Sequence, residues 1–331
     1  MDLINRLARF IVQDNAVLFV GASLRQGPDE HPLVRRIADA LAARIQYERP
    51  DRSLPAVARD FQVQHERAGL IVALREELER LGGQPAPIHQ LIADAVLPST
   101  KVITTRFDRV LERALDQAHK SYVLIVRDTD VPFFDETKIT LIKMQGDITQ
   151  PDSLVITADD VDAFISKLPT ISDVVRAFFA TKTLIFLGYD LEGEQFKRLF
   201  RQVTRNLATY RRQAYAIVSQ PVDEVEARYW ESHNVTICHR DPRAFLEALA
   251  PAVKAAVVQP EMAAHNPLDG MAQPPLPPHP YKGLDSFTGA DAAIFMGRTE
   301  ESHRLANRIL AHRLTVLYGE SGSGKTSLLQ A

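Results

Sequence analysis

The chain has 331 residues, 45% hydrophobic and 24% charged, with a net charge of -3. That supplies core for about two domains, and the charge balance by itself implies neither a nucleic-acid surface nor an acidic tail. The single cysteine, Cys238, excludes an internal disulfide and a four-cysteine zinc site. No apolar run approaches the ~18 residues of a membrane span, and Met1-Asp-Leu-Ile-Asn-Arg lacks the basic start and apolar core of a signal peptide. A cytoplasmic protein is expected, with no membrane partner.

In chain order, the first strand signal is 16–20, Ala-Val-Leu-Phe-Val, closed by Gly21-Ala22-Ser23. Short apolar runs of this kind suit strands buried on both faces. Residues 28–81 read as a helical insert, clearest at 33–45 and 68–81. Further strands are expected at 101–105, 122–126, 183–187, 214–218 and 235–238. Amphipathic helices are expected at 108–119, 194–207 and 241–253. Strands alternating with helices predict a parallel α/β sheet covered on both faces. Basic residues between Lys197 and Arg212 read as a solvated helix face.

Composition changes after Ala256. Seven prolines fall between residues 257 and 280, at 260, 267, 274, 275, 277, 278 and 280. Such density prevents a sheet or helix interior, so 256–280 reads as an extended linker. A new domain then opens at Tyr281, with a helix over 300–311 and a strand over 313–318.

That strand leads into Gly319-Glu-Ser-Gly322-Ser-Gly324-Lys325-Thr326, a phosphate-binding loop. Its glycines let successive amide N–H groups face phosphate oxygens, and the following helix adds its positive end. Lys325 would reach the β- and γ-phosphates, Ser327 lies beside them, and the Thr326 hydroxyl would hold Mg²⁺. The acidic residue that organises Mg²⁺ and water is expected on a later strand, beyond Ala331. The chain is therefore expected to be the front part of a longer ATP-binding protein.

The order Tyr281-Lys-Gly-Leu-Asp-Ser-Phe287, Ala293-Ile-Phe-Met-Gly297-Arg298 and then the loop resembles the novel STAND group of signalling NTPases. The resemblance implies ATP/Mg²⁺ binding with Gly297 and Arg298 near the nucleotide. It also implies homo-oligomerisation on activation, an effector domain upstream and a trigger sensed by a region beyond Ala331.

Four segments upstream carry a second resemblance, over about residues 10–250. They are Leu18-Phe-Val-Gly-Ala-Ser23, then Pro87-Ile-His89 through 102–112, then 142–157, and Leu184-Ile-Phe-Leu-Gly188-Tyr-Asp-Leu191. They are similar to the SIR2-like domains of prokaryotic defence proteins. The resemblance implies a Rossmann-like NAD-binding fold over 1–255, with Gly21, Ala22, Ser23, Thr105 and Gly188 around NAD⁺. The family's glycine loop reads G-A-G-x-S, whereas Ser23 replaces the second glycine here, and its Cβ obstructs a pyrophosphate. The family's T-x-N-x-D keeps Asp108 but has Arg106 in place of its asparagine. The family's catalytic histidine, in K-x-H-G, is Gln145 here. A glutamine amide cannot accept the proton an imidazole would, a loss of about 10²–10⁴-fold in rate.

Asp108 has a second reading as N-cap of its helix, and His89 reads as structural. His31, His65 and His239 show no metal-ligand spacing. With one cysteine, the four-cysteine zinc module of the sirtuin deacylases is excluded, and protein deacylation with it. The expected function is the N-terminal part of a STAND-type antiviral-defence protein. Its SIR2-like domain would be degenerate for NAD hydrolysis and serve in oligomerisation, docking or nucleotide sensing. The alternative is an active NAD⁺ hydrolase gated by the ATPase.

Overall fold

The computed structural model describes residues 2–24, 32–191, 194–204, 212–258, 298, 305, 316–317 and 324–330. The chain divides into two compact units, Met1–Pro260 and Glu261–Ala331.

The first unit is a seven-stranded, all-parallel sheet. Its strands are β1 (Ala16–Val20), β2 (Lys101–Thr104), β3 (Tyr122–Ile125), β4 (Ile139–Lys143), β5 (Thr183–Leu187), β6 (Ala214–Val218) and β7 (Val235–His239). They lie in the order β3-β4-β2-β1-β5-β6-β7. β1 pairs with β2 on one side (Val20 opposite Thr104) and β5 on the other (Val20 opposite Leu187). From β1 the chain fills one side with β2, the edge strand β3 and then β4 between them, and the other side in sequence with β5, β6 and β7, a Rossmann-like arrangement. Ligands of such sheets bind where the winding reverses, outside the carboxyl ends of the central strands.

The helices are α1 (Leu3–Val12), α2 (Leu33–Arg44), α3 (Leu54–Arg80), α4 (Pro87–Ala95), α5 (Val110–Gln117), α6 (Ala158–Asp162), α7 (Phe164–Lys167), α8 (Pro169–Thr181), α9 (Glu194–Thr204), α10 (Glu224–Ser232) and α11 (Pro242–Val258). Successive strand residues face opposite sides of the sheet. Leu18 and Val20 pack under α1, α4, α5 and α11. Val17 and Phe19 pack under α8, α9 and α10. A third core lies inside the insert of α2 and α3 and reaches the sheet through Phe107, Leu154 and Ile156. α3 runs on as one element through Glu66, where φ is 61° and the helix breaks.

Several expectations need correction. The helix expected from Asp108 starts at Val110, with Arg109 at its N-cap position and no side-chain cap bond. Asp108 sits one residue before the N-cap position, and its Oδ1, besides holding Arg106, accepts from the Val110 amide at 3.5 Å. β4, α1, α8 and α10 were absent from the elements read off the sequence. β4 reads Ile-Thr-Leu-Ile-Lys and ends on a lysine, which breaks the apolar run that marks a buried strand.

In the second unit, Gly324 has φ 77°, a left-handed conformation that favours glycine, directly before α12 (Lys325–Gln330). Of the expected linker 256–280, residues 256–258 continue α11, and 259–280 lie outside the described residues, as do Gly297, Gly319, Gly322 and most of the expected helix 300–311 and strand 313–318. Among the described residues no helix is long and apolar enough to cross a membrane.

Candidate functional site

The carboxyl ends of the central strands carry most of the residues singled out by sequence. The turn after β1 presses on the turn after β5. A Cβ on Gly21 would meet the Gly188 carbonyl oxygen at 2.2 Å, and one on Gly188 (φ 69°) would meet Leu24 at 2.5 Å. The two glycines are there for backbone contact. The Gly21 amide donates to the Leu187 carbonyl at 2.7 Å and the Ser23 amide to the Gly188 carbonyl at 3.0 Å. Two amides of the loop are thus bonded to the protein's own backbone.

β2 sends its end into the same region. The Thr104 hydroxyl donates to the Val20 carbonyl at 2.7 Å and accepts from the Arg106 amide at 3.0 Å. This turns Arg106 inward, where it is 5% exposed. Its guanidinium grips both carboxylate oxygens of Asp108, Nε at 3.1 Å from Oδ1 and the terminal nitrogen on Oδ2. A buried carboxylate clasped on both oxygens is a charge partner.

Behind this pair lies a buried lysine. Lys143, fully buried, donates to the Asp108 carbonyl, to Glu112 at 2.8 Å and to Asp147 at 2.8 Å. Burial pushes the Glu112 carboxyl above its ordinary range, partly offset by Lys143. Burial also pushes Asp147 upward, but Lys143 and Thr149 together hold it below the usual carboxylate range. The network fixes the end of β4 to the start of α5 and so holds Asp108 in place.

Gln145 is 8% exposed at the end of β4, and its carbonyl accepts from the Val155 amide at 3.1 Å. Gly146 follows with φ 79°, and a Cβ there would meet the Ser153 carbonyl at 2.2 Å. Thr105 is buried beside Arg106.

A cavity of about 720 Å³ opens beside these strand ends, between the insert and α5. Arg106 and Asp108 line it. Gln145, Thr105, Ser23, Gly21, Ala22 and Gly188 are not on its walls. Its other polar walls are Arg36, Arg75, Arg109, Arg113, Glu79, Thr149 and His89. Sequence reasoning missed these arginines. They come from three separate helices, and nothing in their spacing joins them.

His89 was read as structural, and part of its role is. Its Nδ1 accepts from the Ala86 amide at 3.0 Å at the start of α4. That bond places the ring proton on Nε2, which is buried without a partner among the described residues. Burial, reinforced by the nearby Arg106 charge, lowers the pKa to about 4. At neutral pH His89 is thus a neutral N–H donor whose other nitrogen is occupied. With Nδ1 engaged by the Ala86 amide, its acceptor nitrogen is not free to take a proton.

In the second unit, Gly324, Lys325, Thr326 and Ser327 form the turn and opening of α12, with the Leu328 amide donating to the Gly324 carbonyl at 2.9 Å. Arg298 is exposed.

Residues 100–238 match the family described as SIR2-like domain, and residues 280–331 match Novel STAND NTPase 1. Among curated proteins, NAD(+) hydrolase ThsA of Enterococcus faecium is 25% identical over 230 residues, covering 67% of this chain and 47% of that protein. NAD(+) hydrolase ThsA of Acinetobacter baumannii is 23% identical over 221 residues, covering 65% and 44%. Defense-associated sirtuin 2 of Bacillus subtilis is 29% identical over 122 residues, covering 36% and 12%. The chain spans less than half the length of these relatives. A solved structure described as "Structural Basis for the Mechanism and Regulation of Sir2 Enzymes" aligns with TM-score 0.43 at 14% identity, over 78% of this chain and 99% of that one.

Proposed function

From a chain in which a SIR2-like domain precedes a Novel STAND NTPase segment, we propose the N-terminal part of an ATP-binding antiviral-defence signalling protein whose SIR2-like domain does not hydrolyse NAD⁺. The domain acts instead in oligomerisation, docking or nucleotide sensing. One observation carries the reading: Arg106 clasps both carboxylate oxygens of Asp108 at the strand ends, while Gln145 stands where a base is needed. A clasped carboxylate and an amide do not supply the general base that activates water at neutral pH.

In this reading the second unit holds ATP, Lys325 and Ser327 at the phosphates and Thr326 at Mg²⁺, with Gly319, Gly322, Gly324, Gly297 and Arg298 around it. Bound Mg²⁺ would neutralise phosphate charge. Nucleotide binding drives assembly of identical copies in the cytoplasm, in response to a trigger read elsewhere in the protein. The defence role is drawn from the relatives, two named NAD(+) hydrolases and one a defense-associated sirtuin. Those names also support a second reading, an NAD⁺ hydrolase working through a rearranged site with Asp108.

One assay separates the two. Full-length protein with ATP and NAD⁺ is expected to leave NAD⁺ intact. Sustained NAD⁺ loss that disappears on Asp108→Ala would sink the first reading and establish the second. Restoring an asparagine and an imidazole with R106N and Q145H is expected to raise NAD⁺ cleavage above the parent.

A further inference from the structure

The cavity between the insert and α5 is lined by five arginines and by two carboxylates, Glu79 and Asp108. Arg36 comes from the first turn of α2, Arg75 from α3, and Arg109 and Arg113 from the start and body of α5. His89 also lines the cavity, and its Nε2 is buried with no hydrogen-bond partner among the described residues. Arg106 is neutralised by Asp108, and Arg109 has Glu112 at 3.7 Å. Arg75 and Arg113 bond only main-chain carbonyls, those of Ile148 and Gly83, and no carboxylate lies within ion-pair reach of either among the described residues. Two positive charges thus face the cavity with no acidic partner in ion-pair reach among the described residues. The opposite character is also present: Leu24, Leu33, Leu78 and Leu81 form an apolar wall. At about 720 Å³ the space suits one nucleotide-sized molecule.

We propose that this cavity binds a mononucleotide carrying a terminal phosphate, with the phosphate on Arg75 and Arg113 and the base against the leucines. A terminal phosphate near neutral pH is a dianion with three acceptor oxygens, which matches two unpaired guanidinium forks in charge and geometry. The internal diphosphate of a dinucleotide carries one charge per phosphate and has no free end to enter the forks. The Ser23 and Gly21 amides, bonded to the β5 turn, take no part, so recognition here rests on side chains rather than on the glycine loop. His89, neutral at pH 7, keeps its Nε2–H available to an acceptor on the ligand. This inference rests on the proposed function, giving its nucleotide-sensing option a site and a ligand class.

The test uses the full chain with K325A in every sample, which removes the phosphate-loop lysine from the readout. Calorimetry compares AMP, ADP, adenosine and NAD⁺. AMP and ADP are expected to bind at least about tenfold tighter than adenosine or NAD⁺, the minimum for losing charge-assisted bonds to a terminal phosphate. Adding R75A and R113A is expected to weaken AMP about tenfold or more. Adenosine or NAD⁺ binding as tightly as AMP, or AMP binding unchanged by R75A/R113A, would overturn the proposal. If that variant does not fold, hydrogen exchange on the K325A chain decides. AMP protecting residues 75–83 and 106–113 supports the site, and protection confined elsewhere overturns it. NAD⁺ consumption in the turnover assay would overturn the proposed function without touching this binding result. Absence of AMP binding would overturn this inference alone.

Discussion

At the scale of single residues, His89 offers the clearest measurable consequence. Its folded pKa is about 4 against an ordinary 6.5. Between those values the unfolded chain takes up a proton that the folded chain refuses, so stability falls as pH drops from 6.5 towards 4, by up to about 1.4 kcal/mol per pH unit, and levels off below. Above 6.5 the residue contributes no pH dependence. His89→Gln keeps a side-chain acceptor for the Ala86 amide but cannot protonate. The loss of stability across this window is expected to flatten in the variant, read by urea unfolding at pH 4.5 and 7. An unchanged slope would remove His89 as its source. Lys143 teaches the same lesson: a lysine in a strand with 0% exposure is tolerated because two carboxylates and a carbonyl surround it. Replacing one partner strands a buried charge, whereas the intact set is neutral to within one unit.

At the scale of elements, the site depends on how two turns meet. β1 and β5 are neighbours in the sheet but more than 160 residues apart in sequence. Their carboxyl-end turns share a contact in which Gly21 has no room for a Cβ, since the Gly188 oxygen lies 2.2 Å from where it would sit. The obstacle is backbone, which cannot rotate aside. Gly21→Ala is expected to cost at least about 1–3 kcal/mol, the range for overpacking a tight interior, and to be read as a lower denaturant midpoint. Midpoints equal to the parent would mean the turns separate freely. The insert is joined to the sheet in the same manner. Phe107, fully buried, reaches into the core of α2 and α3 from the segment that carries Arg106 and Asp108. Arg67 on α3 fixes the far side by donating to Asp160 at 2.8 Å and to the Leu154 carbonyl at 2.7 Å. These contacts hold α3, and with it Arg75, opposite α5.

At the scale of the whole molecule, the chain joins two chemistries in separate units. One is a parallel sheet with an arginine-lined cavity, and the other contains a phosphate loop. Lys325→Ala in the full-length protein is expected to weaken ATP binding about 10–100-fold, the effect of losing charge-assisted bonds to the β- and γ-phosphates. AMP binding to the first unit should stay as it was. Unchanged ATP affinity, followed by calorimetry, would refute the role given to Lys325.

The sequence by itself determined six of the seven strands. Five apolar runs at 16–20, 101–105, 183–187, 214–218 and 235–238 correspond to β1, β2, β5, β6 and β7, and 122–126 to β3, because doubly covered strands must be apolar throughout. The glycine pattern marked Gly324, and the SIR2-like resemblance singled out Arg106, Asp108 and Gln145, which lie at the strand ends. Only the tertiary structure decided what those residues do. Asp108 looked like a helix cap, and its carboxylate is shared: Arg106 clasps both oxygens while the Val110 amide at the helix start donates to one of them. β4 stayed hidden because its final lysine is made acceptable by Glu112 on α5 together with Asp147, four residues further on. The cavity was invisible for the same reason. Its arginines lie on α2, α3 and α5, and no short-range pattern records that folding will turn them towards one space.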